Sequence, residues 1–182
     1  MKMGLRQFGF FLIRRGLRPG LTIERFTQAG ALAAFLRNQG INMVIDVGAN
    51  RGQFALKLRS IGFSGRICSF EPSPTDAAYL RQASAEDPNW IIHGCALGQT
   101  PGTADFNVVR QPSGQTVLSS FLAAGEGIGA VAQSYETEVV EVQVKTLDAV
   151  FDSLIDGLPN PRVLLKIDTQ GFDLEVLKGG RA

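Results

Sequence analysis

Cysteine is nearly absent from this 182-residue chain, which carries Cys68 and Cys95 and no third thiol. Two thiols cannot build a disulfide framework, and their scarcity fits a reducing compartment such as the cytoplasm. Histidine occurs once, at His93. One imidazole and two distant thiols do not make a zinc centre, so no metal site is expected. Long hydrophobic runs are missing too: no apolar stretch approaches the roughly 18 residues of a membrane-spanning helix. Nor does one sign of charge dominate. The balance of 18 basic and 17 acidic side chains is +1, which argues against a protein-wide footprint for nucleic acid. Low-complexity tracts are absent, and a 45% hydrophobic composition is that of a globular chain of about one domain. Glycine, by contrast, is abundant: 21 residues, above the average of roughly 7%.

Charge is uneven along the chain. Residues 1–25 hold Lys2, Arg6, Arg14, Arg15, Arg18 and Arg25 against Glu24, a local balance of +5 that leaves −4 for the remainder. The apolar stretch Phe8–Ile13 is shorter than the roughly 7–15 residues of a signal-peptide core, and Arg14-Arg15 follow at once. Leu5, Phe8 and Leu12 share a helical face, so a basic amphipathic helix fits, either as a weak membrane-surface contact or as a solvated face on a packed helix. Residues 1–38 therefore read as a basic N-terminal helical segment whose last helix, 26–38, stops near Gly40. Residues 39–182 read as the main domain.

That domain opens with Met43–Val47, a short β-branched apolar run of the kind found in buried parallel strands. A glycine-containing loop follows, then a helix with Phe54, Leu58 and Ile61 on one face and Gly62 at its stop. Arg66–Phe70 is the second strand. Ser73 as N-cap, Pro74 at the first helical position and Asp76 three residues after the cap announce the next helix. Trp90–His93 is a third strand, so the order strand–helix–strand–helix–strand implies α/β with a parallel sheet. Beyond it, 103–109 reads as a strand and 110–135 as a long loop. Alternation in Val140, Val142 and Val144 marks another strand, Thr146 caps a helix to about Leu154, and Val163–Asp168 is a further buried strand. Asp173 opens a last helix, as its N-cap, and Gly179-Gly180 stops it.

Open parallel sheets bind ligands beyond the carboxyl ends of their strands. Those ends carry Asp46, the loop Gly48–Gly52, Glu71, the stretch His93–Ala96 and Asp168. Gly48 and Gly52 let the backbone turn tightly and approach a ligand. Glu71 lies 23 residues beyond Gly48, close to the spacing at which an acid receives ribose hydroxyls. The pair indicates a nucleoside-containing cofactor. A dinucleotide fingerprint needs glycine at positions 50 and 53, where this chain has Asn50 and Gln53. Strand alternation directs Asp46 toward the crevice rim, where its carboxylate would repel a pyrophosphate. S-adenosyl-L-methionine, which has no phosphate and carries two cationic centres, suits such a site better. A nicotinamide-dependent oxidoreductase stands as the alternative enzyme, and the glycines and Asn50 also serve the tight turn and cap of any doubly wound fold.

The segments IDVGANRGQFA, SFEPSP, ALGQTPGTADF and LLKIDTQGFDLEVLKGG resemble the FkbM-type methyltransferases over roughly residues 30–180. The resemblance implies a Rossmann-like doubly wound, mostly parallel sheet of the S-adenosylmethionine-dependent methyltransferase type, with N-terminal helices and without its last strands. It further implies methyl transfer to a hydroxyl of a sugar, glycan or polyketide-like small molecule. On this basis Asp46, Gly48 and Asn50 line the methionine end, Glu71 holds the ribose and Ala96 lies near the adenine, with Gly52 completing the loop. Gly94 and Asp173 depart from the family, which usually has Asn and Glu there. The fold also leads one to expect further strands, so that 163–168 would form an apolar edge and the chain alone would be a less stable, or non-catalytic, cofactor-binding fragment.

Methyl transfer needs an aligned nucleophile and, for a hydroxyl, removal of its proton. Asp168, at a strand end facing the crevice, is the first candidate for base or orienting acid. Lys166, two residues earlier on the same face, needs an acidic partner such as Asp168 or another crevice acid, as catalytic group or as structural ion pair. Asp173 is a third candidate that also reads as a plain helix cap. His93 is a minor candidate base, and Cys68 and Cys95 read as unactivated thiols.

Overall fold

A computed structural model describes residues 28–110 and 136–181. The basic segment up to residue 27 and the stretch 111–135, with its Ser-rich Gln115–Phe121, lie outside the described residues. The first helix, α1, spans Gln28–Asn38, and β1 follows at Met43–Val47. Next come α2 at Gln53–Ser60, β2 at Arg66–Phe70, α3 at Pro74–Ala83 and β3 at Trp90–His93. A two-residue strand, β4 (Ala96–Leu97), precedes two long ones, β5 (Gly102–Arg110) and β6 (Glu136–Lys145). The described chain closes with α4 at Leu147–Ile155, β7 at Val163–Ile167 and α5 at Asp173–Lys178.

Four strands form a parallel sheet in the order β3-β2-β1-β7. All five residues of β1 are buried, as the apolar run at 43–47 requires of a strand covered on both faces. Alternation sends Met43, Ile45 and Val47 to one face, where they pack with Cys68, Phe70, Val150, Leu154 and Val176 beneath α4 and α5. Val44 and Ile67 face the other way, onto Leu36, Leu58 and Leu80 of α1, α2 and α3. Helices thus cover both faces in the Rossmann-like manner. Leu58 and Leu80 are fully buried, and each contributes about 1.5–3 kcal/mol of transfer free energy.

Local signals act where the residues place them. Ser73 Oγ accepts the Asp76 N–H at 3.3 Å, with Pro74 at the first helical position. Thr146 Oγ1 caps α4 through the Ala149 N–H at 3.2 Å. The α2 helix ends in a paired closure, Phe63 N–H to the Leu58 carbonyl and Gly62 N–H to the Arg59 carbonyl, both at 3.0 Å, as the Schellman pattern requires. One expectation fails. The residue preceding α5 is Phe172, which makes no side-chain cap, while Asp173 lies inside the helix with its carboxylate turned back to Thr169. Its Oδ1 accepts from the Thr169 N–H at 2.8 Å and hydroxyl at 2.6 Å.

β5 and β6 pair antiparallel from Gly102 with Val144 to Arg110 with Glu136, and β6 also pairs parallel with β4. The ribbon carries its own apolar cluster of Phe106, Val108 and Val142. Longer strands replace the expected ones because strand pairing extends the alternating pattern through polar positions such as Thr137 and Glu138. No helix among the described residues is long and apolar enough to cross a membrane.

Candidate functional site

A cleft of about 590 Å³ opens beyond the carboxyl ends of β1, β2 and β7, where an open parallel sheet places its ligand. Its walls include Gly48 to Asn50, Phe70 to Pro72, Ala96, Leu97, Phe106 and Lys166 to Gln170, with Gln53, Phe54 and Lys57 of α2 along one side. Gly48, Asn50, Glu71, Ala96, Lys166 and Asp168 are therefore brought together. Asp46, Gly52 and Asp173 are not among the lining residues.

The loop after β1 is shaped by two left-handed glycines, Gly48 at φ 73° and Gly52 at φ 86°, with Asn50 between them at φ 49°. At Gly48 a Cβ would collide with the carbonyl of Asp168, so the close approach of the β1 and β7 ends demands glycine. Gly52 faces the other way. A Cβ there would stand 2.8 Å from Trp90 and 2.9 Å from Leu80, which makes it a packing position between α2, α3 and β3. Every backbone N–H of the loop already has an acceptor. Gly48 and Ala49 donate to the Phe70 carbonyl at 3.0 and 3.1 Å. Asn50 donates to Glu71 Oε2 at 2.7 Å, Arg51 to Asn50 Oδ1 at 2.8 Å, and Gly52 to the Ala49 carbonyl at 2.9 Å. No amide between 48 and 52 is left to donate to a ligand, while α2 begins at Gln53 with no side-chain cap.

Glu71 ties this loop to the next one. Besides Asn50, its carboxylate accepts the Ser73 N–H on Oε1 at 2.9 Å. A carboxylate offers about four acceptor positions, so two remain, the number that a ribose diol needs. Burial pushes its pKa up to about 7; the two N–H bonds pull against that, and the charges of Asp76 and Asp46 add to it. Arg51 bolts the same two loops together further out. Its Nε lies 3.1 Å from Oδ1 of the buried Asp76, and its guanidinium stands 4.2 Å over the Tyr79 ring.

Asp46 does not reach the crevice rim. It is fully buried, directly opposite Lys166 in the parallel β1–β7 register. The Lys166 ammonium lies 2.9 Å from Asp46 Oδ1. That contact is ionic, off the hydrogen-bonding direction, and neither carboxylate oxygen has an aligned donor among the described residues. Burial raises the Asp46 pKa, Lys166 lowers it and Asp168 raises it again. Lys166 also donates to the Gly48 carbonyl at 3.0 Å, so a cation separates Asp46 from the cleft. The repulsion of a pyrophosphate expected from Asp46 is thereby neutralised.

Asp168 is exposed at the end of β7, with Oδ1 accepting from Gln170 Nε2 at 3.3 Å. His93 is half-buried and stacks on Phe70 with centroids 4.5 Å apart, and burial lowers its pKa. Cys68 and Cys95 are buried with thiol pKa values raised by desolvation, Cys68 to about 11. Both are core thiols. Sequence reasoning passed over the cleft side of α2, Gln53 and Lys57, and the Phe106 wall. The first pair carries an i, i+4 signal readable in hindsight; Phe106 carries none, because its placement depends on how the ribbon folds over the sheet.

The Methyltransferase FkbM domain matches residues 46–182, three quarters of the chain and every cleft-lining element. The chain belongs to the FkbM methyltransferase family. Among curated proteins, Methyltransferase 1 of Beauveria bassiana (strain ARSEF 2860) is 28% identical over 149 residues, covering 76% of this chain and 58% of the relative. Methyltransferase sdnD of Sordaria araneosa is 28% identical over 153 residues, covering 75% and 59%. The chain thus spans somewhat under three fifths of the length of these curated relatives.

Proposed function

We propose that this FkbM chain binds S-adenosyl-L-methionine in the cleft at the β1, β2 and β7 ends and supports methyl transfer to a hydroxyl oxygen. The acceptor we infer is a sugar, glycan or polyketide-like small molecule. The observation that carries the cofactor reading is the internal engagement of every 48–52 amide, which leaves that loop no donor for a phosphate and suits a ligand without one. The two remaining acceptor positions of Glu71 fit the ribose hydroxyls, and the apolar wall of Phe70, Ala96, Leu97 and Phe106 fits a base. When bound, the cofactor supplies a methyl carbon activated by its sulfonium.

The chain's own residues then have three tasks. Gly48 keeps the loop pressed against the β7 end, so that the reacting groups meet over a narrow floor. Asp168, the exposed acid of the cleft, orients the acceptor hydroxyl and takes its proton. Gln53, Lys57 and Gln170 supply a polar rim suited to a polyhydroxylated acceptor. Asp173 braces the Thr169 turn and so holds Asp168 and Gln170 in place.

Calorimetric titration tests the reading. S-adenosylhomocysteine should bind at one site per chain and NAD should not; binding of NAD with no binding of S-adenosylhomocysteine would overturn it in favour of an oxidoreductase. Transfer of a labelled methyl group to hydroxyl acceptors, abolished in Asp168→Asn, tests the chemistry.

A further inference from the structure

We propose that Lys166 is the anchor for the carboxylate of the cofactor's methionine end, a role that rests on the S-adenosylmethionine reading above. The methionine carboxylate is the one anionic group of that cofactor. The N–H groups of loop residues 48–52 are all engaged, so the loop before α2 offers that carboxylate no donor, and a cationic side chain on the cleft wall is the charged partner within reach.

Two lysines line the cleft, Lys57 and Lys166. Lys57 is exposed on α2, and fixing a solvated lysine on a ligand costs side-chain entropy. Lys166 is already fixed. An ammonium has three donors. One goes to the Gly48 carbonyl at 3.0 Å, and one side faces Asp46 Oδ1 at 2.9 Å. The third N–H has no hydrogen-bond acceptor among the described residues, with the Phe54 ring centroid 5.8 Å from Nζ, and the side chain, 22% exposed, borders the cleft. Asp46 beneath it, fully buried and opposite in register, holds the ammonium at the floor, so Asp46 acts as a positioning residue. This explains why a carboxylate is buried there at all: it keeps a cation stationed beside the cofactor loop.

The test compares two ligands that differ by one group, S-adenosylhomocysteine and its decarboxylated analogue, which keeps adenosine, sulfur and ammonium. The wild-type chain should bind the carboxylated ligand roughly 10- to 100-fold more tightly, the range of one charge-assisted hydrogen bond. In Lys166→Met the two should bind alike, with the affinity for the decarboxylated ligand retained. Because that variant strands a buried carboxylate, Asp46→Asn/Lys166→Met removes both charges and should show the same loss of discrimination. Lys57→Met should leave the discrimination intact. The proposal is overturned if the double variant still discriminates as the wild type does, if Lys57→Met is the variant that loses discrimination, or if the wild type never discriminates. Failure of the wild type to bind either ligand would instead remove the cofactor reading on which the proposal stands.

Discussion

At the end of β2 the Glu71 carboxyl is nearly dry, yet it holds the Asn50 and Ser73 N–H groups and borders the cleft. Burial pushes its pKa up to about 7 from 4.5, outweighing the two N–H bonds. The folded state therefore keeps a proton that the unfolded chain has lost between these values. Glu71 contributes stability that is fully present below about 4.5 and is lost as pH rises toward 7, of the order of 3 kcal/mol across the window. Glu71→Gln should flatten the fall in melting temperature between about pH 5 and pH 7.5. Its absolute stability should also drop, since an amide has one acceptor for two N–H donors; the slope is the readout. Ribose hydroxyls donate best to the ionised form, so S-adenosylhomocysteine affinity should rise through neutral pH in the wild type and stay flat in Glu71→Gln. An unchanged stability slope in the variant would place the titration on another group. Glu71 was legible from spacing alone, but its double tie to the loop amides was not, since those bonds depend on where two separate loops come to rest.

Among the elements, the two loop glycines look alike in sequence and serve different neighbours. Gly48 meets the Asp168 carbonyl at the cleft floor, while Gly52 meets Trp90 and Leu80 behind it. Both have positive φ, so alanine costs roughly 1–3 kcal/mol in backbone strain alone at either position. Gly52→Ala should lower the melting temperature and, at temperatures where it is folded, change S-adenosylhomocysteine affinity by less than about threefold, under 1 kcal/mol. Gly48→Ala should lower both stability and affinity, because the loop must lift away from β7. Equal losses of affinity in the two variants would contradict this division. The strand–helix alternation was readable because β1, β2 and β3 are short runs of β-branched, aromatic and other apolar residues between well-signalled helices. Asp46 shows where such reading ends. Alternation gives its face, but β1 is buried on both faces, and its partner comes from β7 through a register that joins residues 120 positions apart. The Asp173 carboxylate, turned to Thr169, was likewise beyond local pattern.

Across the whole molecule the cleft exists because four parallel strands end together, with β7 at one edge of the described sheet. In α5, the helix that follows β7, Leu174 and Leu177 are 61% and 51% exposed. The Asp168 N–H donates to the Val47 carbonyl at 3.0 Å, so by alternation the amides of Leu164 and Lys166 also point to β1, while those of Val163, Leu165 and Ile167 point outward. In hydrogen exchange of this chain the outward three should exchange faster than the inward set. Equal protection would mean that the edge is covered.

The central claim is that the carboxyl-end cleft receives the cofactor, and hydrogen exchange with saturating S-adenosylhomocysteine tests it most directly. Protection should rise in residues 48–52, 70–73, 96–97 and 166–170 and leave unchanged the opposite cavity lined by Gly40–Asn42 and Ile61–Gly65. Protection confined to that opposite cavity, or none at the loop after β1, would contradict the account.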